Sequence, residues 1–169
     1  MIELRKIDHD NWEDVLKLKV ADHQKNFVAP NIYTLAEAYV EIVNGDEEDA
    51  DYPPMIFAIY KDNVLVGFTA MEQNEPDEDE YLYMTFGDKA VYNFYRFMID
   101  EKFQGKGYGR EAMVKILEYL KSFPQGEVDS ISLSYEPEND VARKLYESLG
   151  FVETGHIEDG EMVARLGLK

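Results

Sequence analysis

The sequence has no cysteine and no uninterrupted apolar run long enough to cross a bilayer. Without thiols the chain can form neither disulfides nor a cysteine nucleophile nor a zinc–thiolate site. A transmembrane helix would need about 18 or more consecutive apolar residues. The opening residues, MIELRKIDHD, lack the basic region and the apolar core of a signal peptide, so we expect a cytoplasmic location.

Basic residues are also scarce: 17 Lys and Arg stand against 35 Asp and Glu, and the formal net charge is −18. A field of this sign repels nucleic-acid phosphates and anionic lipid, and it attracts cationic small molecules. We therefore expect neither a nucleic-acid nor a membrane partner, and a small cation as a ligand. The charge can equally serve solubility alone, and both interpretations stay open.

Two segments concentrate the acidic residues. They contain Asp46, Glu47, Glu48, Asp49 and Asp51, and then Glu75, Asp77, Glu78, Asp79 and Glu80. Either segment can be a solvated loop or part of a cation-binding surface. Neither has the glycine at loop position 6 and the glutamate at position 12 of an EF-hand, and the three histidines lack metal-ligand spacing. We expect no metal.

A chain of 169 residues has the length of one domain, and we expect a single domain over residues 1–169. Hydrophobic periodicity predicts the order β α α β β β α β α β β. Two hairpins are predicted, with turns at Asp62-Asn63 and Asp159-Gly160. YLYMTF at 81–86 and VYNFYRFMI at 91–99 are further predicted strands.

The first two helices are predicted from capping boxes. Asp10 is followed three residues later by Glu13, and Thr34 by Glu37. The apolar face predicted for the second helix consists of Leu35, Ala38, Tyr39, Ile42 and Val43. The buried stripe predicted for the last helix, at about 138–149, consists of Val141, Leu145 and Leu149.

The segment QGKGYGREA at 104–112 places glycines at 105, 107 and 109 between a predicted strand and a predicted helix. Unpaired backbone N–H groups and the helix dipole make such a helix N-terminus an anion site, and glycine lets a ligand approach the backbone. The spacing excludes a Walker loop, because Arg110 and Glu111 follow Gly109, and it also excludes the dinucleotide fingerprint G-x-G-x-x-G.

This loop resembles the pyrophosphate loop Q/R-x-x-G-x-G/A of the GNAT N-acetyltransferase superfamily, with Gln104, Gly107 and Gly109 at the fixed positions. A second stretch, NDVARKLYESLGF at 139–151, is similar to the other family signature. The resemblance implies an α/β (α+β) fold with a mixed, mostly antiparallel sheet of about seven strands. Helices would cover both faces, and two strands would splay apart to admit the pantetheine arm of acetyl-CoA.

The resemblance also implies which residues hold acetyl-CoA, the expected co-substrate. Backbone N–H groups of the loop would bind its pyrophosphate: Gln104, Gly105, Lys106, Gly107, Tyr108, Gly109 and Arg110. The pantetheine arm would contact the backbone of Phe97, Met98 and Ile99 and the Asn139 amide, although Asn139 can also be an ordinary helix cap. Residues 100–115 contain four bases and three acids, a basic island suited to phosphate.

Tyr146 occupies the position at which the family's tyrosine faces the thioester sulfur. There a phenol with a pKa of about 10 can protonate the departing thiolate. Periodicity alone would instead make Tyr146 a half-buried core residue beside the stripe of the last helix. We expect the acid role.

The general base is not evident from the sequence. An ammonium group with a pKa of about 10.4 must lose a proton before its nitrogen can attack. Many family members have an acid on the strand before the glycine loop, but residues 91–99 contain none. Candidates elsewhere are Glu72, Glu75, Glu80 and a water chain ending on Tyr95, with Glu37 less favoured because of its expected capping role.

HQKNFVAPNIYTLAEAY at 23–39 and GFVETGHIEDGEMVARLGL at 150–168 resemble bacterial diamine and spermidine/spermine acetyltransferases. A polyamine acceptor agrees with the acidic charge, and Trp12, Phe27 and Tyr33 are candidates for lining its groove. The open alternatives are an aminoglycoside, an amino acid or a protein N-terminus as acceptor, and a non-catalytic acetyl-CoA or polyamine binding module. Family members are often dimers, so a homodimer is also open.

Overall fold

One sheet of seven strands organises the molecule. The computed structural model describes residues 1–44, 53–75, 86–88 and 90–168. The strands are β1 Ile2–Lys6, β2 Met55–Lys61, β3 Val64–Asn74, β4 Val91–Ile99, β5 Ser130–Tyr135, β6 Val152–Glu158 and β7 Glu161–Gly167. Their order across the sheet is β1-β2-β3-β4-β5-β7-β6. The predicted mixed sheet of about seven strands is confirmed.

Helices cover both faces of this sheet. They are α1 Trp12–Lys17, α2 Asn31–Asn44, α3 Tyr108–Leu120 and α4 Asp140–Glu147. Successive residues of β2 point to opposite faces, so Phe57 packs into the core under α3 and α4, whereas Ala58 packs into the smaller core under α1 and α2. Among the described helices, none has both the length and the hydropathy needed to span a membrane.

The β4–β5 pair is the parallel one, and its pairing is incomplete. Paired positions run from Val91↔Ser130 to Phe94↔Leu133, yet β4 continues to Ile99 and β5 to Tyr135. On the other side of β4, the register with β3 passes from Arg96 to Phe94 and leaves Tyr95 without a Cα partner, as in a β-bulge. The predicted splay between two strands therefore lies between β4 and β5.

The hairpin turns agree with the sequence prediction. Asp62, Asn63 and Asp159 have φ values of 49°, 66° and 48°, and Gly160 has 93°, as two-residue hairpin loops require. The strand predicted at 81–86 lies outside the described residues except for Phe86, as does most of the two acidic segments.

Both predicted capping boxes are wrong. The residue capping α1 is Asn11, whose side chain makes no capping bond and instead donates to the Lys6 carbonyl at 2.9 Å. Helix α2 begins at Asn31, so Thr34 lies inside the helix. Thr34 is fully buried, and its hydroxyl accepts a hydrogen bond from Arg96 Nε at 3.0 Å. Asn11 and Thr34 make tertiary contacts, and the spacing of residues along the sequence cannot predict such contacts.

The apolar face predicted for α2 is only partly buried. Ala38 is 3% exposed and Leu35 packs on the smaller core, but Tyr39, Ile42 and Val43 are 67%, 65% and 56% exposed. The buried side of α2 includes the polar residues Asn31 and Thr34, so an apolar pattern alone identifies the wrong arc. Val141 in the predicted stripe of α4 is likewise exposed.

Candidate active site

The separation of β4 from β5 opens a cleft of about 930 Å³. Its walls are the far half of β4, the glycine loop, the first turns of α4 and the segment 20–30 between α1 and α2. The predicted site residues that line it are Phe97, Met98, Ile99, Gln104, Gly105, Gly107, Gly109, Arg110, Asn139 and Tyr146. Two others, Lys106 and Tyr108, do not line it. Two motifs distant in sequence thus meet at one cavity.

The backbone conformation of the loop requires glycine at two positions. Gly105 and Gly107 have φ values of 72° and 81°, and Gly107 is the residue preceding α3. Such left-handed values cost other residues about 1–2 kcal/mol. A Cβ built on either glycine meets no heavy atom within 4 Å, so the space above the backbone is open to a ligand. This cradle fits a pyrophosphate group.

Side-chain contacts fix the loop in place. The Gln104 side-chain amide donates to the Ile99 carbonyl at 2.9 Å and to Gln24 Oε1 at 2.8 Å. The buried Asp100 carboxylate accepts hydrogen bonds from the backbone of Lys102 and Lys19, both at 3.1 Å. The loop is therefore shaped before any ligand arrives, and it is tied to the segment that covers the cleft.

Positive charge predominates around the loop end of the cleft. Arg110 lines the cleft in the first turn of α3, where the helix dipole also favours an anion. Lys25 lines the opposite wall and is paired with Asp22 at 2.7 Å. Lys106, although outside the lining, donates to the Lys102 carbonyl at 2.9 Å. Of the predicted basic island, Arg110 therefore lines the cleft beside the glycine cradle.

Tyr146 belongs to both the core and the cleft. It is 7% exposed, and its ring packs against Tyr135 and Phe151 at centroid distances of 5.7 and 5.8 Å. Burial raises the pKa of Tyr146, and the charge of Glu161 raises it further. The neutral phenol is therefore the form present at neutral pH, and only that form can donate a proton. Tyr146 can therefore be a core residue and still place its hydroxyl group to act in the cleft.

Asn139 is a helix cap that also lines the cleft. Its side-chain oxygen accepts a hydrogen bond from the Ala142 N–H at 3.2 Å at the start of α4, which confirms the capping interpretation. Its NH₂ group makes no hydrogen bond to any of the described residues. The donor half of this amide is therefore available to a ligand in the cleft.

Of the carboxylates expected as bases, the described ones do not line the cleft. Glu72 accepts hydrogen bonds from Asn74 at 3.2 Å and from Asn93 at 3.4 Å, and it is not a lining residue. Burial raises the pKa of Glu72, and the nearby charges of Glu41 and Glu37 add to this effect. Glu75 is exposed, and Glu80 lies outside the described residues.

Tyr95 does line the cleft. Burial, and then the charges of Glu72 and Glu37, raise the pKa of its phenol.

Glu37 has a different role from the one expected. Its carboxylate pairs with the Arg96 guanidinium at 3.5 Å and does not cap α2. Arg96 lines the cleft and also donates to the Tyr95 carbonyl at 2.8 Å. Sequence reasoning missed Arg96, because a single arginine in an apolar strand carries no motif.

Glu161 is a second residue that the sequence did not indicate. Among the described residues, it is the one carboxylate that lines the cleft, and its oxygen accepts a hydrogen bond from the Ser134 hydroxyl. Of the aromatic residues expected in the acceptor groove, Phe27 lines the cleft, whereas Trp12 and Tyr33 do not. Within residues 1–44, 53–75, 86–88 and 90–168, no three His, Cys, Asp or Glu side chains form a metal-binding group.

Comparison with known proteins gives a family and several relatives. The model of the Acetyltransferase (GNAT) family matches residues 12–151. The chain is 28% identical over 164 residues to the spermine/spermidine N(1)-acetyltransferase of Bacillus subtilis (strain 168), covering 96% of this chain and 95% of the relative. It is 40% identical over 62 residues to alpha/beta-tubulin-N-acetyltransferase 9 of Drosophila melanogaster, covering 36% of this chain and 31% of that protein.

The fold also matches solved structures. The crystal structure of PaiA N-acetyltransferase from Thermoplasma acidophilum in complex with coenzyme A superposes with a TM-score of 0.62. The match covers 99% of both chains at 12% sequence identity, so it is a likeness of fold.

Proposed function

Because the chain belongs to the GNAT family of acetyltransferases, we propose that it transfers the acetyl group of acetyl-CoA to a primary amine of a polyamine. The family predicted from the two sequence motifs is confirmed, and GNAT acetyltransferases use acetyl-CoA. The single observation that carries the proposal is the cleft itself, which the glycine loop, the splayed strands, Asn139 and Tyr146 all line.

The chain offers acetyl-CoA a backbone site. The N–H groups from Gln104 to Arg110 would hold the pyrophosphate, since the space above Gly105 and Gly107 is open. Pairing of β4 with β5 ends at Phe94, so the backbone groups of Phe97, Met98 and Ile99 that face β5 have no partner on that strand and would contact the pantetheine arm. The Ile99 carbonyl is the exception, because it accepts the Gln104 side-chain amide. The Asn139 amide would donate to the same arm. Acetyl-CoA would supply an acetyl group activated as a thioester.

Tyr146 would act as the general acid in a direct transfer within a ternary complex. Its ring is held by Tyr135 and Phe151, which restricts where the hydroxyl can point. Its raised pKa keeps the proton on the phenol until the leaving sulfur develops negative charge. The burial that makes Tyr146 a core residue therefore suits it to this role.

A polyamine acceptor is supported by charge and by the Bacillus relative. The net charge of −18 raises the local concentration of a di- or tri-cation, while a single exposed ion pair contributes only about 0–1 kcal/mol. The relative that matches 96% of this chain is named for spermine and spermidine. A cytoplasmic location and a homodimer stay predictions from the sequence.

A turnover screen tests the proposal. Purified protein is mixed with acetyl-CoA and with spermidine, spermine, putrescine, an aminoglycoside or a short peptide at pH 7 to 9, and products are detected by mass spectrometry. We expect acetylated polyamine. If only the aminoglycoside or the peptide is acetylated, the proposal of a polyamine acceptor is wrong, and the proposal of an acetyltransferase stands. Coenzyme binding without any acetylated product would favour the non-catalytic binding module.

A further inference from the structure

Glu161 is placed at the end of the cleft where β4 and β5 have separated. It is the first residue of β7, next to Met162, which pairs with Tyr135 at the end of β5. Tyr146 lines the same cleft and packs on the Tyr135 ring. Glu161 from β7 and Tyr146 from α4 therefore line one cleft.

Among the described residues, Glu161 is the one carboxylate that lines the cleft, and the other charged lining residues are Lys25, Arg96 and Arg110. Two lining cations already have partners, because Lys25 pairs with Asp22 and Arg96 with Glu37. Within the described part of the chain, Glu161 forms no ion pair, and its side chain accepts a hydrogen bond from the Ser134 hydroxyl. It is partly exposed. A carboxylate that forms no ion pair within the protein can accept a charge-assisted hydrogen bond from a ligand's ammonium group.

The charge of Glu161 acts on Tyr146. The negative charge of Glu161 contributes to the raised pKa of Tyr146, after burial. Both side chains also line the cleft. A carboxylate that can accept a proton and a phenol that can donate one are the two groups an acyl transfer to an amine requires.

We propose that Glu161 takes the proton from the acceptor's ammonium group, an inference that rests on the proposed function of the cleft. The carboxylate accepts one proton, directly or through one water, and the freed nitrogen lone pair forms the new bond to the acetyl carbon. The electron pair of the broken carbon–sulfur bond stays on sulfur, which receives the Tyr146 proton. The second nitrogen proton restores the Tyr146 phenol, so one proton leaves through Glu161.

Glu72 is the rival base, and its contacts favour it less. Two asparagine side chains donate to its Oε1, and it does not line the cleft. A proton from an acceptor in the cleft would therefore need a relay to reach Glu72. Glu161 requires no such relay.

The pH behaviour depends on the groups around Glu161. Tyr146 faces it from α4, Tyr135 lies on β5, and Glu158 is its pairing partner on β6. The cationic and titratable residues elsewhere on the cleft wall are His23, Lys25, Tyr95, Arg96 and Arg110. A Glu161→Gln variant would lack the internal proton acceptor, so it would depend on free amine from solution. The fraction of free amine rises about tenfold per pH unit below the amine pKa of about 10.4.

Steady-state kinetics with the amine that the screen identifies test this role. Glu161→Gln keeps an oxygen for the Ser134 hydroxyl, and we expect kcat to fall by about 10²-fold or more at pH 7.5, with the deficit shrinking toward pH 9. Glu158→Gln is the matched control: the same change directly before the Asp159-Gly160 turn, at an exposed residue outside the cleft lining. It should stay within about twofold of the wild type. Glu161→Asp keeps the carboxylate but shortens the side chain by one methylene, so its kcat should lie between those of the wild type and Glu161→Gln.

Carbon-13 NMR of labelled glutamate carboxylates gives a readout besides activity. The Glu161 resonance is assigned by its absence from the spectrum of Glu161→Gln. It should shift when spermidine, or the amine that the screen identifies as the substrate, is added, and the Glu158 resonance should not shift. Three results would overturn this inference and leave the proposed function standing. Glu161→Gln could have the same kcat as Glu158→Gln, or it could raise KM without lowering kcat. The Glu161 resonance of the wild-type protein could also stay in place when the amine is added. Wild-type protein that acetylates no amine would overturn the proposed function and, with it, this inference.

Discussion

Gln104 in the glycine loop donates its side-chain amide to Gln24 Oε1 at 2.8 Å, joining residues 80 positions apart. The same Gln24 oxygen accepts a hydrogen bond from the Ala21 N–H at 3.2 Å. A second connection runs from Lys19 to Asp100. The loop proposed to hold the coenzyme and the segment that covers the cleft are therefore one connected unit.

Replacing Gln24 by leucine should weaken this unit. The change leaves two donors without their acceptor, and a hydrogen bond of this kind contributes about 0.5–1.5 kcal/mol. We expect the free energy of unfolding in urea to fall by about 1 kcal/mol and the Kd for coenzyme A to rise several-fold. Gln24→Glu keeps an oxygen acceptor and should stay closer to the wild type. Equal losses in both variants would show that the hydrogen bond is not the cause.

Tyr146→Phe removes the hydroxyl and keeps the ring. The ring contacts with Tyr135 and Phe151 remain, so coenzyme A affinity, measured by calorimetry, should not change. Turnover should fall by about 10²-fold or more, because the leaving sulfur loses its proton donor. Tyr119→Phe, at a tyrosine packed on Phe57 outside the cleft lining, is the matched control. Unchanged turnover in Tyr146→Phe would remove the residue from the mechanism.

Alanine at Gly107 and at Gly109 should shift stability in opposite directions. Gly107→Ala forces a side chain into a φ of 81°, which should lower the free energy of unfolding by about 1–2 kcal/mol. At Gly109, inside α3, an added Cβ meets Ile99 and Leu145 at 3.8 and 4.0 Å, which are ordinary contacts. Alanine there should raise helix stability by up to about 1 kcal/mol. Urea unfolding of both variants measures the two changes. Equal losses of the free energy of unfolding would contradict a left-handed backbone at Gly107 and a helical one at Gly109.

Glu72→Gln should stabilise the protein at neutral pH and leave turnover nearly unchanged. Burial raises the pKa of Glu72 in the folded protein, so the folded state disfavours the charged carboxylate at pH 7. The gain from the neutral variant should be present above the folded-state pKa. It should vanish as the pH falls through the unfolded pKa of about 4.3, where both states are protonated.

Urea unfolding of Glu72→Gln and wild type from pH 4 to 8 measures the difference. A variant that is less stable at pH 7, or one that loses turnover as Glu161→Gln is expected to, would contradict this account.

The architecture could be predicted from the sequence because it rests on local signals. Period-two apolar runs indicated the strands, and the turn residues at 62–63 and 159–160 indicated the hairpins. The glycine spacing and the 139–151 stretch predicted two walls of the cleft, including Asn139 and Tyr146.

What could not be predicted depends on which strands and helices meet. Thr34 and Glu37 have the spacing of a capping box, but Arg96 from β4 contacts both. Glu161 reaches the cleft because β7 pairs with β5, a register that nothing near residue 161 specifies. The Gln24–Gln104 hydrogen bond likewise requires knowing which loops are neighbours.

A crystal structure of this protein with coenzyme A tests the central claim most directly. We expect the pyrophosphate oxygens within hydrogen-bond distance of backbone N–H groups between Gln104 and Arg110, and the sulfur beside the Tyr146 hydroxyl. A pyrophosphate bound elsewhere, or a sulfur far from Tyr146, would contradict the account.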